Sequence, residues 1–259
     1  MMRSLFVSHG APNLVLHNSA ARDFLARYAE ALPRPKAIVV ASAHFEAPGP
    51  VVSAASAPRM IYDFRGFEPE LYEITYSAPG DPALARDCAE RLAEAGFAPR
   101  LVERGFDHGT WVPLSLLWPA ADIPVVTMSV DPGSDAATHV AMGAALAPLT
   151  EEGVLVVGSG SLTHNLMEFF RGGYRPDSPA PEWVKAFGAW VHETISAGAL
   201  DDLVAWRTKA PYGPENHPTP EHLLPLFVAL GAAGAGATTE RVHSSHSHGI
   251  LQMDAYAFG

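Results

Sequence analysis

The sequence has almost no cysteine. Cys88 is alone among 259 residues, which excludes an intrachain disulfide and any cysteine-built zinc cluster. A chain without disulfides suits a reducing compartment. Basic side chains are also scarce: 17 Lys and Arg stand against 28 Asp and Glu, a formal charge of -11. Binding a nucleic-acid backbone needs a basic footprint, so this balance argues against a nucleic-acid partner. Long apolar runs are missing too. No stretch approaches the roughly 18 to 20 uninterrupted apolar residues of a membrane span. After Arg3 only a short apolar run precedes His9, without the long apolar core of a secretory signal. These absences describe a soluble, cytoplasmic protein with no membrane partner.

What is present is a normal globular balance, 48% hydrophobic and 17% charged, with enough length to bury a sizeable core. Short Val- and Ile-rich runs bounded by Pro, Gly or Asp read as buried strands at 4–7, 37–41, 50–54, 123–130 and 154–157. Helices are expected over 19–32, 81–95, 135–150 and 181–198. In the second of these, Asp81-Pro82 supplies an N-cap and a proline at the first helical position, and Gly96 follows its end. Strands alternating with helices indicate an α/β fold, a mixed central sheet flanked by helices. Residues 250–258 read as a final strand or hairpin arm, and 172–181 as a surface loop. The Gly/Ala-rich stretch 231–239 reads as a helix end and a loop. With no repeat and no linker, one domain is expected over 1–259.

Twelve histidines are a rich count, and their placement matters more than their number. His9 follows the first predicted strand, His44 the second and His164 the fifth, while His108 lies in a Gly-flanked polar turn before an apolar run. In open α/β sheets, ligands bind beyond the carboxyl ends of the strands. Histidines repeated at that place therefore project into one common space, and small neighbours such as Ser8, Gly10, Ser42 and Gly160 leave room there. A fifth candidate is His222. Thr219-Pro220 reads as a helix start, which puts His222 in the first turn. Glu221 lies about 100° round the helix from it, so one of the two is a ligand candidate and the other a supporting group. Imidazole and carboxylate suit Zn and Fe(II). Three ligands on one face of an octahedral ion leave three positions, the number that a two-oxygen substrate and O2 require.

Each histidine taken alone has a plainer explanation as a hydrogen-bonded structural residue. That explanation is preferred for His217, a turn residue between Asn216 and Pro218, and for His17, His139 and His192. The tract "HSSHSHGIL", 243–251, is metal-like by composition but is read as an exposed loop entering the last strand. No phosphate-binding glycine loop is present, and "GSGS" lacks the flanks of a serine nucleophile elbow.

The stretches "FVSHGAPN", "AIVVASAHFE", "YDFRGFEPELYEITYSAPGDP", "ERGFDHGTWVPL", "DIPVVTMSVD", "GVLVVGSGSLTHNL" and "HPTPEHLLPLFVALGAA" together resemble the class III, LigB-like extradiol ring-cleavage dioxygenases. Within that family they resemble the 4,5-DOPA dioxygenase branch. The likeness covers nearly the whole chain in the expected order. It implies a LigB-like fold and an Fe(II) site that is also recovered with Zn(II). It also implies a small aromatic diol and O2 as substrates, and ring opening outside the two hydroxyls to give a semialdehyde. Carried over by motif, His9, His44 and His222 match the metal ligands. Glu221 is the alternative third ligand, since more distant members use two histidines and a glutamate. His164 matches the acid/base, and His108 a second active-site histidine that contacts substrate or oxygen. Phe45 departs from the tryptophan of many relatives, which bears on the pocket wall. Phe45, Tyr62, Phe64 and Trp111 are the aromatics expected to pack the ring. Three competing classes are a zinc-dependent hydrolase or lyase on the same ligands, a non-catalytic metal-binding member, and a binding module using the acidic surface. His164 and His108 argue against the second, because metal storage needs neither. Assembly into a homo-oligomer is left open.

Overall fold

The computed structural model describes residues 2–259. Its strands are β1 (Ser4–Ser8), β2 (Ala37–Glu46), β3 (Val51–Ser53), β4 (Arg100–Val102), β5 (Val125–Val130), β6 (Val154–Gly160), β7 (Thr239–His243), β8 (His246–Ser247), β9 (Leu251–Gln252) and β10 (Ala255–Phe258). The helices are α1 (Ala20–Tyr28), α2 (Pro82–Glu94), α3 (His108–Leu117), α4 (Ala136–Glu151), α5 (Leu166–Gly172), α6 (Glu182–Ser196), α7 (Leu200–Val204), α8 (Trp206–Lys209), α9 (Gly213–Asn216) and α10 (Leu224–Ala232).

Eight strands form one sheet in the order β4-β3-β5-β2-β6-β1-β10-β7. The four central strands β5, β2, β6 and β1 run parallel. Such strands are covered on both faces and read as nearly continuous apolar runs, which is why they stood out in the sequence. The edges are antiparallel additions: β3 against β5, and β10 against β1 with β7 beyond it. The expected mixed sheet flanked by helices is what forms.

Alternation along each central strand divides the core. Leu5, Val7, Ile38, Val40, Leu155 and Val157 face one side, packed with Trp111 and Leu114 of α3. Phe6 faces the other side, with Phe187 of α6 and Phe227 of α10. Val39, Val126 and Val156 share that second side with Met142 and Leu146 of α4.

One local expectation holds for a stated reason. Asp81 caps α2 by accepting from the Ala83 and Leu84 amides, both at 3.0 Å. Asn165 caps α5 by accepting from Glu168 N–H. Others need correction. β4 and β7 were not anticipated, because "RLV" is too short and "TERVH" too polar to carry a strand pattern. The run 250–258 is two strands, broken where the Asp254 carbonyl turns to accept from Ser8. The helix expected at Pro220 starts instead at Leu224, with Pro225 in its first turn. Thr219 does not cap it, because its hydroxyl is turned to the Glu221 carboxylate at 3.0 Å.

Candidate metal centre

The carboxyl ends of β1, β2 and β6 lie side by side, and five histidines gather beyond them. His9 leaves β1 by donating its backbone N–H to the carbonyl of Gly160 at the end of β6, 2.9 Å away. Gly10 follows with φ +68°, a left-handed turn that glycine tolerates. His44 lies inside β2 rather than after it, where pairing with β5 slips between Ser42 and Glu46. Such a bulge re-aims a side chain. His222 is in the turn before α10, its carbonyl accepting from Ser161 N–H at 2.9 Å. His108 opens α3, and its position is fixed from below by Asp107. That wholly buried carboxylate accepts from Ser42 at 2.7 Å, Thr110 N–H at 3.0 Å and Arg104 at 2.9 Å. Arg104 in turn donates to the His44 carbonyl at 2.9 Å. His164 hangs from the Asn216 carbonyl through its backbone N–H at 3.0 Å, and its ring lies flat on that of His222.

His9, His44 and His222 turn their Nε2 atoms toward one another. His44 Nε2 is 3.1 Å from His9 Nε2 and 3.2 Å from His222 Nε2. The opposite ring nitrogens are all engaged. His9 Nδ1 meets Ser159 Oγ at 3.1 Å, His44 Nδ1 is 3.5 Å from Asp63, and His222 Nδ1 meets Glu221 at 2.9 Å. The Ser159 hydroxyl donates to the Gly109 carbonyl, so its oxygen accepts the proton of His9 Nδ1. The Glu221 carboxylate likewise accepts from His222 Nδ1, and the Asp63 carboxylate faces His44 Nδ1 at 3.5 Å, where it favours a proton electrostatically. Three Nε2 lone pairs are thus left pointing into one small space, a repulsive arrangement that a cation relieves. Two nitrogens bound at right angles about 2.1 Å from one ion are about 3.0 Å apart, close to the distances found here. The carboxylate–histidine pairing is the usual way a protein orients a metal-ligating ring.

The charge state agrees. Burial first, then the neighbouring imidazoles, hold His9, His44 and His222 well below the ordinary histidine range. They are neutral at neutral pH, the form that ligates. His164 is pushed down to about 4 by burial and by His108. Burial alone would raise the Asp63 carboxyl, but its bonds and charge contact with His108 and His44 bring it to about 2.

Of the sequence candidates, His9, His44 and His222 form one set able to hold an ion, with His164 and Glu221 adjoining through His222. Glu221 meets His222 Nδ1 at 2.9 Å, and its carboxylate also forms a set with His164 and His222. Asp63 was missed. It bonds the His108 amide at 3.1 Å and Nδ1 at 2.9 Å, a contact across 45 residues that no periodicity announces. His217, read as a turn residue, follows α9 and is wholly buried. Its Nε2–H donates to the Leu162 carbonyl at 2.8 Å. His139 fastens a loop, bonded to Asp135 O and Asp131 N–H.

The cluster forms the floor of a cavity of about 640 Å³. Its walls include Phe64, Phe67, Phe169, Phe170, Leu166 and Leu251, with Arg65 and His248 also present. Of the four expected aromatics only Phe64 lines it. Phe45 points away because neighbouring strand residues face opposite sides, and Arg104 stacks on it at 4.4 Å. Trp111 is wholly in the core, and Tyr62 bonds the Ile74 carbonyl. His248 corrects the exposed-loop reading of its tract, since the β8–β9 hairpin brings it to the cavity. A second cavity of about 690 Å³ near α4 and α6 has no histidine, cysteine or acidic residue in its lining, so it offers no comparable chemistry.

Comparison with known proteins agrees with this picture. The family model described as the catalytic LigB subunit of aromatic ring-opening dioxygenase matches residues 12–259. The chain is 42% identical to a 4,5-DOPA dioxygenase extradiol of Beta vulgaris, over 98% of this chain and 96% of that one. It is 40% identical to the Escherichia coli K12 protein of the same name, over 89% and 85%. The crystal structure of an uncharacterized protein of Escherichia coli K12 superposes over both whole chains with a TM-score of 0.81 at 33% identity.

Proposed function

The chain belongs to the LigB family and is an extradiol aromatic ring-opening dioxygenase, and we propose that it opens a small catechol at Fe(II) held by His9, His44 and His222. The observation that carries this reading is the convergence of three Nε2 lone pairs whose opposite ring nitrogens are engaged. When bound, the iron would bring the diol and O2 together and pass electrons between them. Zn(II) suits the same nitrogens and is the ion expected to replace iron on purification.

The remaining work belongs to the chain. The phenylalanines and leucines of the cavity wall bury an aromatic ring and exclude water. His164 is held neutral by burial, so it can accept a catechol proton and return it later. His108, anchored at Nδ1 by Asp63, presents its other ring nitrogen to substrate or oxygen. The cavity volume accommodates a catechol with a side chain, and relatives carry the name 4,5-DOPA dioxygenase extradiol. DOPA or a related small catechol is therefore the proposed substrate, with a semialdehyde as product. A single catalytic domain over 1–259, acting in the cytoplasm, completes the proposal. Among the described residues no helix is long and apolar enough to cross a membrane.

The test is product analysis. Iron-reconstituted protein given DOPA and simpler catechols under 18O2 should yield a ring-opened product carrying both labelled atoms. A hydroxylated but intact ring, or an unchanged catechol, would refute the assignment.

A further inference from the structure

The Asp63 carboxylate stands between two histidines with different duties. Its Oδ1 accepts from the backbone N–H of His108 at 3.1 Å. Its Oδ2 lies 2.9 Å from His108 Nδ1 and 3.5 Å from His44 Nδ1. The two rings are themselves 3.8 Å apart, centre to centre. A backbone N–H cannot reverse its polarity, so the carboxylate's orientation is fixed by a bond that always runs one way. Oδ2 is left as an acceptor facing both Nδ1 atoms.

We propose that Asp63 is a positioning residue that sets the tautomers of His108 and His44 together. By holding a proton on Nδ1 of each, it leaves both Nε2 atoms as lone pairs, one toward the metal position and the other toward the substrate cavity. The bond to His108 is direct, while at 3.5 Å the hold on His44 is electrostatic. This inference rests on the proposed function, in which His44 is a ligand and His108 faces substrate.

The role has a consequence that a structural role lacks. In Asp63→Asn the amide oxygen keeps the backbone N–H of His108, so the amide NH2 takes the place of Oδ2. A donor then faces both Nδ1 atoms and favours the wrong tautomer in each ring. Asp63→Ala removes the partner without imposing that tautomer. The nearly isosteric variant should therefore be the worse one, the reverse of what packing alone dictates.

The experiment combines 15N NMR of the histidine rings in Zn(II)-loaded protein with Zn(II) affinity by chelator competition and with catechol turnover of the iron-loaded protein. Asp63→Asn is expected to move the His108 proton to Nε2. It should also lower Zn(II) affinity and kcat/KM roughly 10- to 100-fold, the usual effect of losing a group that orients a ligand. Asp63→Ala should fall between it and wild type. Thermal unfolding of both variants separates these losses from misfolding. An unchanged His108 tautomer, or Asp63→Asn outperforming Asp63→Ala, overturns the inference while the metal site stands. Failure of wild-type protein to bind Zn(II) at all overturns the site assignment and the inference with it.

Discussion

Gly160 closes β6 between two proposed ligands and offers a sharp test of how the site is assembled. Its carbonyl accepts from His9 N–H, and the next residue, Ser161, donates to the His222 carbonyl, both at 2.9 Å. A methyl group added at Gly160 would sit 2.1 Å from the His222 carbonyl oxygen. Contacts that close do not persist, so Gly160→Ala must push the His222 turn outward by about 1 Å. Metal–ligand distances tolerate only about 0.2 Å, and a displacement of about 1 Å can cost on the order of 100-fold in a site's performance. Overpacking adds about 1 to 3 kcal/mol of destabilisation. Gly158→Ala is the control. Two residues earlier on the same strand, its methyl would sit 2.0 Å from the Pro225 carbonyl, overpacking α10 without touching a ligand's carbonyl. Zn(II) affinity by chelator competition and melting by circular dichroism should show both variants destabilised, but only Gly160→Ala weakened about 100-fold toward metal. Wild-type affinity in Gly160→Ala, or equal losses in the two, would refute the reasoning.

Three further outcomes are expected. His222→Ala should lose bound metal, whereas Glu221→Gln should still take up one ion per chain at roughly tenfold lower affinity, the usual cost of an altered ligand partner; metal analysis after dialysis would exchange their roles if the pattern were reversed. His164→Ala should keep its metal and lose catechol turnover, and retained turnover would remove its acid/base assignment. Burial pushes the His217 ring down to about 3, against about 6.5 in the unfolded chain. Below pH 6.5 the unfolded state therefore binds a proton that the folded state refuses, and stability falls as pH drops toward 3. Between pH 7.5 and 5.0 this group should contribute a loss of about 2 kcal/mol in the metal-free protein, read from urea unfolding. His217→Gln should abolish that share, and an unchanged pH slope would exclude His217 as its source.

The sequence announced those parts of the site that obey short-range rules. His9 was legible because it ends a buried apolar strand, and His108 because it lies in a Gly-flanked polar turn before an apolar run. His44 was legible by motif, yet its place inside β2 was not, because a slip in pairing leaves no local signature. The start of α10 was misplaced for a similar reason: Thr219-Pro220 looks like a cap, but Thr219 prefers the neighbouring Glu221 carboxylate. Asp63 and the phenylalanines at 67, 169 and 170 were invisible. They meet the histidines only through tertiary folding, from loops and a short helix whose own patterns say nothing about a cavity. Phe45 shows the opposite error. Its place where many relatives carry tryptophan suggested the pocket wall, and strand alternation sends it under Arg104 instead.

The most direct test of the central claim is O2 uptake by protein reconstituted anaerobically with Fe(II) and offered DOPA and simple catechols, alongside His222→Ala treated identically. One O2 consumed per ring opened by wild type, with a yellow product and no uptake by the variant, is the predicted result. No uptake by wild type with iron shown to be bound, or equal uptake by His222→Ala, would contradict the claim that these three histidines build the ring-opening centre.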